Sequence, residues 1–276
     1  MNASRLNKCF ALALIAAHLL LLACSDTPMD VNVREQPPLP PATSMASDIN
    51  LFNSPGALGK PNAAGQNFQA AVLAATAINL SVALIMLVPT ATLAAALSQQ
   101  PVLKEDGKFH WIFTTATGGI TYRADLAGWI DVPVAESVWE MRISTDAPAL
   151  PLTNFLWYSG RAKLTNLEGY WDVFDVQQPN ASVNVLHIDW EVPSETQATV
   201  VYTAVKPNES TTDDRLTYNI DGNDRLIEFF DKSNDGTLTI FWDAATTAGY
   251  IIAPGYRGGQ KSCWNAGPAH DDVDCP

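Results

Sequence analysis

Leu186-His187-Ile188-Asp189-Trp190-Glu191-Val192 alternates apolar and polar residues without a break. Successive side chains on a strand point to opposite faces, so this run reads as a strand with one apolar and one wet face. Trp139, Met141 and Ile143 repeat the pattern against Glu140, Arg142 and Ser144. Working outward, residues 108–256 divide into short runs rich in β-branched and aromatic residues. These predict strands near 108–117, 119–130, 137–145, 154–161, 169–176, 182–192, 197–206, 214–221, 225–232, 236–243 and 248–253. Turn chemistry separates them, notably Asp221-Gly222-Asn223-Asp224 and Asn234-Asp235-Gly236. Asp-Gly turns tolerate positive φ and join antiparallel neighbours. No helical stretch intervenes, so a parallel doubly wound sheet is excluded.

Pro61 to Leu103 is uncharged throughout, and Ala70 to Val88 is almost wholly Ala, Val, Leu, Ile or Met. Such composition predicts helix, over about residues 62–98, with Pro89 ending one helix or opening a second. Gln69, Thr76 and Asn79 form a narrow polar stripe on it. A helix apolar almost all round must be buried in protein or in lipid. Burial in protein is the better expectation, because about 10–11 antiparallel strands curl into a surface too wide for their own side chains to fill. The expected fold is therefore α+β, mainly β. A curved antiparallel meander, barrel or half-barrel, is packed on or around an N-terminal apolar helix. In outline this resembles the half-barrels of periplasmic lipoprotein carriers, a likeness of architecture alone.

The chain has 276 residues, 47% hydrophobic and 16% charged, which excludes a disordered polymer. Acidic residues outnumber basic ones 29 to 16, and such a surface repels phosphate backbones, so no nucleic-acid partner is expected. At the N-terminus, Arg5 and Lys8 precede the apolar run Phe10–Ala23, which is laid out as a secretory signal. The run ends in Leu21-Leu22-Ala23-Cys24, where the chain resembles bacterial lipoprotein precursors. The resemblance implies cleavage before Cys24 and acylation of that cysteine on its sulfur and amino group. Anchoring in the membrane of the bacterial cell envelope follows, with Ser25 favouring the outer membrane. Removing Arg5 and Lys8 would leave a net charge of −15. The expected organisation is a signal peptide over 1–23, a proline-rich lipidated tether over 24–49 and one domain over 50–276.

Cys263 and Cys275 remain, and two thiols close in sequence in an exported chain predict a disulfide stapling residues 257–276. Asp231, Ser233 and Asp235 with Gly236 imitate the start of a calcium loop, but Trp242 stands where the bidentate glutamate belongs. A structural turn is the favoured reading, with calcium as the minor alternative and no other cofactor expected. His187, Asp189 and Glu191 share one strand face, which is read as solvated. The sequence has no GxSxG, no HExxH, no phosphate loop and no dinucleotide fingerprint. Residues converging from distant strands leave a hydrolase or metal-dependent enzyme, using the acidic turns or the His187 strand, as a lesser alternative. The body has the look of uncharacterised bacterial lipoproteins, a resemblance that carries no activity. The leading expectation is a membrane-anchored envelope lipoprotein with a non-enzymatic binding or structural role, acting on an envelope protein or another partner. The first alternative is a carrier of an apolar ligand such as a lipid.

Overall fold

The computed structural model describes residues 35–45, 50–53, 65–117, 120–149 and 151–276. The signal segment, Leu21–Cys24 and the first part of the tether lie outside them. Residues 36–276 form one compact unit.

Fourteen strands make one antiparallel sheet in strict sequence order, β1 (Val102–Leu103) through β14 (Asp272–Val273). The main body is β2 (Phe109–Thr117), β3 (Ile120–Asp131), β4 (Glu136–Thr145), β5 (Leu152–Lys163), β6 (Glu168–Phe174) and β7 (Asn184–Ser194). It continues through β8 (Gln197–Ala204), β9 (Arg215–Asp221), β10 (Asp224–Asp231), β11 (Gly236–Asp243) and β12 (Gly249–Ile252). These eleven coincide with the eleven periodic runs. The remainder of the fourteen, β1, β13 (Ser262–Trp264) and β14, are two or three residues long, too short for an alternation to show. The sheet is therefore wider than the expected 10–11 strands, and it is not closed into a barrel: β1 and β14 are its free edges.

Among the described residues two α-helices precede the sheet, α1 (Asn50–Asn53) and α2 (Gln66–Leu97). Instead of two helices separated at Pro89, α2 runs through the proline. It bends by 75° between the arms Gln66–Leu80 and Ile85–Leu97. Proline has no N–H to give to the carbonyl four residues back, here Ile85, and its ring crowds that carbonyl. Beyond the bend, the Thr90 and Thr92 hydroxyls donate to the Met86 and Val88 carbonyls at 2.7 and 2.8 Å. Phe68, Ala71, Val72, Ala75, Met86, Leu93 and Ala96 are buried in the core shared with the sheet. The solvent face is not the polar stripe Gln69–Thr76–Asn79. It carries Leu73, Leu80 and Leu87, each about 60% exposed. Among the described residues no single helix is long and apolar enough to cross a membrane; the two arms taken together would pass on length and composition alone.

The start of α2 has no side-chain cap of its own, since Gly65 occupies the N-cap. The Asp272 carboxylate serves instead, accepting the Asn67 N–H at 2.8 Å and an Arg257 guanidinium N–H at 2.9 Å. A carboxylate there satisfies an orphan donor and faces the positive end of the helix dipole. The Asn67 side chain donates to the Cys263 carbonyl at 2.7 Å and accepts from the Tyr256 hydroxyl at 2.8 Å. Cys263 and Cys275 lie at disulfide distance, Cα atoms 5.3 Å apart, so the staple closes over the segment that holds the helix.

Inside the sheet, large and small residues alternate across neighbouring strands. Gly128 faces Trp139, Trp139 faces Gly160, and Gly160 faces Trp171. Gly169 faces Trp190 and Gly249 faces Trp264 in the same way. Each indole lies across its neighbour's backbone, where a Cβ would collide with it. Register shifts at β4–β5, β6–β7 and β7–β8 add the local twist of bulges. Residues 39–45 of the segment read as a tether pack against the body. Met45 is buried, Trp171 donates to the Ser44 hydroxyl at 3.1 Å, and Asn166 donates to the Leu39 carbonyl at 2.7 Å.

Candidate functional site: an apolar cavity under the helix bend

Both arms of α2 pack through small or buried residues, Ala71 and Ala75 on one side and Leu93 and Ala96 on the other. Between the two arms the helix is bent by 75°. A cavity of about 590 Å³ lies there, with Val82 and Ile85 as its helical wall. The sheet supplies Trp157 from β5, Phe174 from β6, Leu186 from β7, Tyr202 and Ala204 from β8, Leu216 from β9 and Phe229 from β10. These are inner-face positions of six adjacent strands, and neighbours such as Leu186 and Ala204 pair directly. The volume falls within the roughly 300–1,000 Å³ of small-molecule sites, which are mostly apolar with a few placed polar groups.

Those polar groups sit at one end of the strands, on the loops after β6 and β8: Asp175, Gln177, Lys206, Glu209, Thr211 and Asp214. Lys206 Nζ lies 3.2 Å from Asp175 Oδ2 and 3.4 Å from Glu209 Oε1. Asp175 is itself buried and also accepts the Gln177 N–H at 2.8 Å and a Gln178 amide N–H at 3.2 Å. Burial works to raise its pKa, but the Gln177 and Lys206 bonds outweigh it and hold the carboxyl below its ordinary value. Lys206 in turn is raised, chiefly by its hydrogen bond to Asp175. The rim is thus a set of charged groups beside an apolar hollow.

The sites read from the sequence lie elsewhere. Asp231 is engaged within its own turn, accepting from Ser233 Oγ at 2.7 Å, Asn234 N at 3.1 Å and Asn234 Nδ2 at 2.7 Å. Its pKa is lowered, first by the Asn234 side chain. Asp235 takes the positive-φ position of that turn. Among the described residues no group of three or more His, Cys, Asp or Glu side chains is arranged to hold a metal ion. His187 does not stand in open solvent. It bonds Asp172 across the β6–β7 pair at 2.7 Å and reaches Asp189 at 3.2 Å. Burial opposes its charge, yet the Asp172 bond and the Asp189 and Asp172 charges raise its pKa above 6.5. Glu191 is exposed and takes no part. A second histidine cluster escaped the sequence reading. His110 lies between Asp125 at 2.6 Å and Asp106 at 3.1 Å, with Lys104 3.0 Å from Asp125. It clasps the β1–β2 loop onto β3. Both pairings cross strands and depend on register, which alternation alone does not reveal.

An open groove of about 400 Å³ on the outer face is lined by Arg161, Tyr170 and Asp189 among others. Its arginine is already bound, to Asp131 at 2.9 Å and Glu136 at 3.4 Å. That leaves the inner cavity as the better candidate.

Compared with protein-family models, curated proteins and solved structures, the chain matches none of them.

Proposed function

We propose that this chain is an exported, lipid-anchored protein of the bacterial envelope, without catalytic activity of its own, that shelters an apolar ligand. The sheet acts as a half-barrel trough with α2 lying in it, anchored through an acylated Cys24. The observation that carries the ligand reading is the apolar hollow under the α2 bend. Its walls are large aromatic and aliphatic side chains that line a partly open hollow instead of closing on one another. A bound tail would add van der Waals contacts to these walls.

The test is binding of a neutral apolar fluorophore, N-phenyl-1-naphthylamine, to the mature chain, together with mass spectrometry of lipid that co-purifies. Ala204→Phe places a ring in the hollow. It is expected to abolish probe binding and lipid recovery while leaving the melting temperature equal or higher. Absence of both probe binding and lipid from the unaltered chain would overturn the proposal.

A further inference from the structure

The cavity's walls argue for a tail, and its mouth argues for a particular head. Among the residues lining it, three carry carboxylates, Asp175, Glu209 and Asp214, against one ammonium, Lys206. That ammonium is not offered to a ligand, because it lies 3.2 Å from Asp175 and 3.4 Å from Glu209. The Thr212 hydroxyl donates to the Lys206 carbonyl and, at 2.8 Å, to the Glu209 carbonyl, which braces the loop carrying both side chains. The Asp214 carboxylate accepts the backbone N–H of Lys232 at 2.8 Å, a bond that leaves its negative charge in place. The mouth thus carries a net negative charge beside an apolar hollow, on side chains that reach solvent and act most strongly at low salt.

We propose, resting on the ligand reading above, that the cavity selects single-tailed amphiphiles by head charge. Protonated amines are preferred, neutral alcohols come next, and free carboxylates are rejected. A cationic head would sit between Glu209 and Asp214 with its tail directed toward Trp157 and Phe229. A carboxylate of the same chain length would meet three like charges and a lysine already claimed by two partners. Rejection by like charge is as much a part of selectivity as attraction.

The experiment is displacement of N-phenyl-1-naphthylamine from the mature chain at neutral pH and low salt, by dodecylamine, dodecanol and dodecanoate. Dodecylamine is expected to compete at least about tenfold better than dodecanoate, with dodecanol between them. Glu209→Gln combined with Asp214→Asn is expected to bring the three toward equality, with dodecanol little changed. Dodecanoate binding as well as the amine, above all if Lys206→Gln then weakens it, would overturn the head-group inference and leave the ligand site standing. Failure of all three to displace the probe would overturn the site itself.

Discussion

Adding one methyl group at Gly128 is a severe perturbation for its size. An ideal Cβ there would stand 2.7 and 2.9 Å from Cε3 and Cη2 of Trp139, and nearer still to Cζ3. The obstacle is a ring, but not a free one. Trp139 is fully buried, and the ring of Trp111 lies against it at 5.4 Å between centroids. On its far side Trp139 faces Gly160, which is itself covered by Trp171. Relief at one strand therefore transmits strain to the next two. Overpacking of a core by one methyl costs about 1–3 kcal/mol. At roughly 2–4 °C per kcal/mol for a chain of this size, Gly128→Ala should melt about 2–12 °C lower. Gly255, whose Cβ would meet nothing within 4 Å, provides the control, and Gly255→Ala should stay within about 0.5 kcal/mol of the parent. The decisive measurement is a double-mutant cycle with Trp139→Phe. The indole N–H of Trp139 has no hydrogen-bond partner among the described residues, so the exchange removes bulk without breaking such a bond. A coupling of about 0.5–3 kcal/mol, with the second substitution relieving the first, is expected. Strict additivity, or a Gly128→Ala chain as stable as the parent, would refute the interlocking of ring and glycine.

Replacing Cys263 and Cys275 by serine, or reducing them, should lower stability by about 3 kcal/mol, read from thermal melts with and without reductant. Asp272→Ala leaves the Asn67 N–H and the Arg257 guanidinium without their acceptor and should cost about 1 kcal/mol, measured by urea denaturation. Two histidines should tilt the pH profile in opposite senses. Burial holds His270 below 6.5 against the pull of Asp271, so its contribution is complete above about pH 6.5 and lost as pH falls through its folded pKa. Its ring stacks on Phe68 at 4.0 Å, and His270→Phe should flatten the acid limb of melting temperature against pH. His187 is raised, so its contribution is present below about pH 6.5 and lost as pH climbs through its folded pKa. Asp172→Asn should remove that alkaline loss, and an unaltered slope in either variant would count against the assignment.

Most of the sheet is legible in the sequence, because a face that is half buried writes its period into the residues. Leu186, Ile188 and Trp190 are buried while His187, Asp189 and Glu191 are not. What could not be read depends on distances that period does not encode. A two-residue strand such as Val102–Leu103 has no alternation to detect. The placement of α2 was legible from its composition, but its bend was not, since Pro89 is compatible with a stop, a start or a kink. Nor could composition tell which side of a uniformly apolar helix would face water, so the exposure of Leu73, Leu80 and Leu87 came only with the packing. The cavity was hidden for a related reason. Trp157, Phe174, Tyr202 and Phe229 each look like ordinary core residues, and they enclose a space only because six strands bring them under one elbow. His110 shows the same limit, its two carboxylates arriving from a loop and from the neighbouring strand.

The clasp at the start of α2 also dictates an order of assembly. Every strand of the meander pairs with the one made just before it, so the sheet can zip as the chain lengthens, at little cost in loop closure. The helix cannot follow that schedule. Its first turn is fastened by Asp272, 205 positions downstream of Asn67, and by the Cys263 carbonyl. This long apolar helix is thus made before the sheet, yet its first turn is fastened by residues near the end of the chain. A nascent chain that stops before residue 262 would carry β1 to β12 and a helix whose first turn is not yet clasped. Until the final residues arrive, the first turn of that helix lacks the carboxylate and the carbonyl that fasten it.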